Sequence, residues 1–166
     1  MARAAATSDR SDGRVRRARR ASAGAGALAA LSLAAGADAQ SYSAETIYLL
    51  RCSGCHGLDG VGSMEAGVPP FPGFVGAFVG DEEGRLYVTH VPGVVGSGLD
   101  DAEIAIVLNY IIAKWADEPE GAIEPFTAEE VAALRAVSIA DVVGYRRGVV
   151  ARLTAEGVAV ADYPWP

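Results

Sequence analysis

Cys52-Ser53-Gly54-Cys55-His56 sets two thiols three positions apart, with an imidazole beside the second. Thiols so spaced can close a redox disulfide, bind zinc, or add to the two vinyl groups of a haem. The adjacent histidine favours the last. Two intervening residues hold the sulfurs at about the separation of the vinyls, and the imidazole then falls under the iron as proximal ligand. A structural zinc ion needs four ligands, and Cys52, Cys55, His56 and His90 could supply them. Adjacent Cys-His ligands suit one tetrahedral ion poorly, however, and His90 has no partner at zinc-finger spacing. A thioredoxin-like disulfide expects a strand before the motif, and none is readable there. The pattern predicts one covalent haem c, attached through Cys52 and Cys55, with His56 on the iron.

The N-terminal segment agrees with that chemistry. Arg14, Arg16, Arg17, Arg19 and Arg20 form a basic region, followed by an apolar stretch from Ala21 to Ala35. That stretch, about 15 residues of Ser, Gly, Ala and Leu, is short for a membrane span. Ala37-Asp38-Ala39 then reads as an A-x-A cleavage site. Residues 1–39 are expected to be a cleaved secretory signal peptide, with the mature chain starting near Gln40 in the periplasm or otherwise outside the cytoplasm. A retained anchor is the competing reading.

Seven of the 14 basic residues but only three of the 21 acidic ones lie in residues 1–39. The remainder carries seven basic and 18 acidic residues, a formal net charge of −11 against −7 for the whole chain. Such a balance disfavours nucleic acid and anionic membranes. It suits a redox partner with a basic docking surface, since opposite fields speed encounter. Simple solubility explains the charge equally well.

The elements that must position the motif are helical. A first helix is predicted from about Ala44 to the motif, capped by Ser43, with Glu45 at its positive end. A long irregular segment then runs from Gly57 to about Gly80, rich in glycine and carrying Pro69, Pro70 and Pro72. Unstructured stretches of that length are uncommon in compact domains unless they do something specific, and wrapping a flat ligand is such a task. A short helix is expected over Glu82–Thr89 and a loop over His90–Gly98. The strongest helix follows. Asp100 and Glu103 form a capping-box-like pair, and Ile104, Val107, Leu108, Ile111 and Ile112 recur at helical spacing as far as Trp115. Beyond the Asp117-Glu118-Pro119-Glu120 break, Thr127 with Glu130 and Ser138 with Asp141 open two further helices. Residues 158–166 read as an extended tail.

Taken with these elements, residues 43–115 resemble the class I monohaem cytochromes c. The motif closes a first helix, with the aromatic Tyr48 four residues before Cys52. Val68-Pro69-Pro70-Phe71-Pro72-Gly73 resembles the family's G-P-x-L-x-G turn, and a capped helix carrying Tyr110 comes last. The resemblance implies an all-α fold: a cytochrome c-like helical domain over 40–116 around one covalent haem, with additional C-terminal helices over 117–166. It implies that Tyr48 and Tyr110 pack where the first and last helices cross. It also implies that the Pro69 carbonyl accepts a hydrogen bond from the free nitrogen of His56, fixing the ring.

The sixth ligand departs from the family. The usual methionine-proline pair aligns with Val91-Pro92, and valine cannot bind iron. Three options stay open: His90 in the same loop, Met64, or no protein ligand. Two strong axial ligands favour electron transfer, whereas an open position favours gas or peroxide chemistry. No distal arginine-histidine pair is readable, which weakens peroxidase chemistry. The expected role is an electron carrier rather than an enzyme. A gas-binding protein and a cytochrome subunit of a periplasmic oxidoreductase are the alternatives.

Overall fold

The computed structural model describes residues 42–119 and 121–162. The expected signal segment 1–39 and the end of the C-terminal tail lie outside them. By its backbone contacts the chain divides into Met1–Asp38 and Ala39–Pro166, and every described residue belongs to the second unit.

The described residues form eight helices: α1 (Ala44–Arg51), α2 (Ser53–His56), α3 (Val75–Val79), α4 (Glu82–Val88), α5 (Pro92–Val95), α6 (Asp101–Trp115), α7 (Ala128–Arg135) and α8 (Val142–Ala155). Among them there is no sheet. One isolated antiparallel bridge joins Ser63 to Val68. The all-α expectation therefore holds.

Five of the helix starts are set by capping side chains, that of α8 among them. Ser43 accepts from Thr46 N–H at 3.2 Å, and Asp81 from Gly84 N–H at 2.8 Å. Asp100 and Glu103 make the full reciprocal box, each side chain accepting the other's backbone N–H. Thr127 accepts from Glu130 N–H at 3.1 Å.

Three expectations needed correction. The segment 57–80 is not irregular throughout, because Val75, Phe78 and Val79 bury one face of the single-turn α3. One turn is too short to show a period. The loop 90–98 contains α5, started by Pro92, whose ring presets a helical φ. Ser138 does not open α8. Asp141 does, accepting from Gly144 N–H at 2.8 Å, and the helix ends at Ala155.

α1 packs on α6, and α6 also meets α3 and α7. Ile47 and Tyr48 from α1 are buried against Ile104, Val107, Leu108 and Ile111 of α6. The Tyr48 and Tyr110 rings meet with centroids 5.6 Å apart, as the resemblance implied. Trp115 joins them, 5.1 Å from Tyr48. Residues beyond 116 are pinned to this core. The Asn109 side chain both donates to Phe126 C=O and accepts from Phe126 N–H, at 2.9 and 2.8 Å. α7 lies against α6 and α4, and α8 against α4.

Candidate functional site

The C-x-x-C-H segment is a tight helical turn. Cys52 closes α1, its N–H donating to Tyr48 C=O, and its own carbonyl accepts from Cys55 and His56 N–H at 3.1 and 3.0 Å. Gly57 follows with φ of 75°, so the chain leaves the turn at once. Tyr48 holds that exit from the core side, its hydroxyl donating to Gly57 C=O at 2.6 Å. Both cysteines are free thiols, Cys52 half-buried and Cys55 exposed.

Cys52, Cys55 and His56 line one cavity of about 380 Å³. Drug- and cofactor-sized ligand sites generally occupy about 300–1,000 Å³. Four parts of the chain supply the other walls. One is the Val68–Phe71 turn with α3. The second is the stretch from Tyr87 through α5 to Leu99. The third is the buried face of α6, and the fourth is Val142, Val143 and Arg146 of α8 with Ala161. Most of these walls are aliphatic or aromatic carbon.

His56 is held against the Phe71 ring, centroids 4.0 Å apart and planes within 15°. Burial lowers its pKa to about 4, an effect partly opposed by the nearby Pro69 backbone. Its Nδ1 is buried without a partner at ordinary hydrogen-bond geometry. The Cys52 thiol is pushed up to about 11 by burial, with Cys55 adding to it. A neutral imidazole beside the Pro69 backbone and two neighbouring thiols at one apolar cavity are a donor set that fits a flat iron macrocycle attached by thioethers. They fit zinc poorly, since a structural zinc ion needs four ligands and His90, the fourth candidate, is not on the cavity.

Pro69 lies where the sequence placed it, on the cavity wall beside His56. The structure does not bring His90 or Met64 to the cavity. His90 is half-buried, with Nδ1 2.8 Å from Leu86 C=O and Nε2 2.8 Å from Val137 C=O. Met64 sits 43% exposed on the Ser63–Val68 turn. Sequence reading missed Arg146, a 5% exposed arginine on the cavity wall. Its Nη2 donates to Ala161 C=O at 2.9 Å, and its guanidinium lies 5.5 Å from the Phe78 ring centroid. The only hint was an arginine at position 146 among the valines of α8.

The fold and site define a helical protein that brings two thiols and an imidazole to one largely apolar cavity. No family model matches the chain. Over 105 residues it is 36% identical to cytochrome c-552 of Thermus thermophilus, an alignment covering 52% of this chain and 79% of that protein. A second cytochrome c-552, from a particular strain of the same organism, matches at 36% over 105 residues and 70% of its length. The chain belongs to the c-type cytochrome family.

Proposed function

We propose that this chain is an exported class I cytochrome that carries one haem on Cys52 and Cys55 and passes single electrons between redox proteins. The observation that carries this reading is the convergence of Cys52, Cys55 and His56 on one apolar cavity. The haem would supply a one-electron couple. The chain's own residues fix where that couple sits. His56 is positioned by the Phe71 ring and by the turn through Gly57. The aromatic cluster of Tyr48, Tyr110 and Trp115 holds α1 on α6, so the cysteine turn has a rigid base. Apolar walls exclude water, which limits reorganisation when the charge changes. The exposed Cys55 marks the edge at which a partner can approach.

Export is supported by the basic, apolar and A-x-A succession over residues 1–39. No described helix is long and apolar enough to cross a membrane. The charge of −11 over residues 40–166 favours a partner with a basic docking surface.

Acid-acetone extraction of the purified protein tests the attachment. Haem should stay with the polypeptide, and the mass should exceed that of the chain from Gln40 by one haem. Haem in the organic layer refutes the assignment. Stopped-flow oxidation by a basic redox protein tests the role. Reversible one-electron cycling is expected, slowing as salt screens the encounter. Failure to cycle rejects electron transfer, and a rate indifferent to salt rejects electrostatic docking.

A further inference from the structure

The geometry points to a binding site for a small uncharged diatomic molecule, of the class of CO or NO, at the sixth iron position. This rests on the haem reading above and goes beyond electron carriage. The sequence holds two histidines and two methionines. His56 is the proximal ligand, and Met1 lies in the segment read as the export signal. Met64 belongs to the turn that leads into Pro69, and it is not on the cavity.

His90 is the remaining candidate, and its ring is engaged elsewhere. Nδ1 faces Leu86 C=O and Nε2 faces Val137 C=O, both at 2.8 Å, with Thr89 Oγ1 3.3 Å from Nδ1. Swinging the ring to the cavity would break the contact to a carbonyl 47 residues away. It would also strip the ring from the α4 end that holds it. The loop aligned with the family's ligand loop meets the cavity with Val91, Pro92, Gly93, Val94 and Leu99. None of these side chains carries nitrogen or sulfur. Ser97 is the one hydroxyl there, and it is spent within the loop, donating to Val94 C=O at 2.7 Å and accepting from Leu99 N–H at 3.2 Å. This stretch offers carbon contacts and no free side-chain donor, and the cations lining the cavity, Arg51 and Arg146, belong to other walls. A small uncharged ligand needs no more. Among the described residues lining the cavity, Tyr87 also carries a side-chain oxygen of a type that ligates haem iron, so the test includes it.

The purified haem-loaded protein is first assayed for covalent haem by pyridine haemochrome. Absence of haem overturns the function proposed above and this inference with it. With haem present, the dithionite-reduced protein is titrated with CO. The expected result is a saturable shift of the Soret band at one CO per haem, unchanged in His90→Ala, Met64→Leu and Tyr87→Phe. No shift in the unsubstituted protein overturns this inference while leaving electron transfer standing. A shift that appears only after one of the three substitutions overturns it as well and names the ligand.

Discussion

The Nε2 of His90 lies 2.8 Å from the carbonyl oxygen of Val137, tying the end of α4 to the turn just past α7. His90 thereby acts as a strut between α4 and the segment after α7. His90→Ala should cost about 1 kcal/mol, the usual net value of a hydrogen bond with a partly exposed acceptor. Urea unfolding of the haem-loaded protein should show a lower midpoint with an unchanged slope. An unchanged midpoint would mean that water replaces the ring at no cost.

Arg85 makes a stronger tie between the same parts. Its Nε and Nη2 each donate to one oxygen of Glu130 at 2.6 Å, and Nη1 donates to Val79 C=O and Glu124 C=O. The guanidinium also lies 3.6 Å from the centroid of the Phe126 ring. A lysine keeps the charge but cannot reproduce a planar fork with this many donors. Arg85→Lys should therefore destabilise by about 1.5–3 kcal/mol, the range for hydrogen bonds to charged groups. A lysine variant that melts with the unsubstituted protein would show that charge alone matters.

Tyr48 sets a pH dependence. Burial raises its phenol to about 12, with Cys52, Tyr110 and Asp59 contributing further. The folded pKa exceeds the unfolded value of 10.0, so the folded chain holds the phenolic proton more tightly. Its contribution is complete below pH 10 and is lost as pH rises to about 12. Denaturation curves between these pH values should show falling stability. Tyr48→Phe should flatten that fall, while costing about 1 kcal/mol at neutral pH through the lost bond to Gly57. An equally steep alkaline fall in the phenylalanine variant would assign it to another group.

Arg146 brings a buried positive charge to the cavity wall. A fixed cation near iron disfavours the more positive oxidised state. Arg146→Gln should lower the reduction potential with covalent haem content unchanged. Spectroelectrochemical titration measures this directly. An unaltered potential would mean that the charge is already cancelled where the iron sits.

The parts legible in the sequence were those encoded within a few residues. The cysteine turn, the Asp100–Glu103 box and the buried face of α6 each repeat a local rule, and all three appear as expected. The Tyr48–Tyr110 contact was reachable only through resemblance, because 62 positions separate the partners. Phe71 against His56 and Asn109 against Phe126 were not legible. Each joins segments that only the finished fold brings together. His90 shows the same gap from the other side. Its position in the loop made it a candidate ligand, while its rotamer was decided by two carbonyls, one of them after α7.

The cavity wall formed by Val142, Val143, Arg146 and Ala161 also sets a timetable. The first of these residues stands 87 positions beyond Cys55, so this side of the chamber exists only once the chain has folded. In an unfolded chain both thiols are open to a bulky planar reactant, and folding then sets α8 beside them.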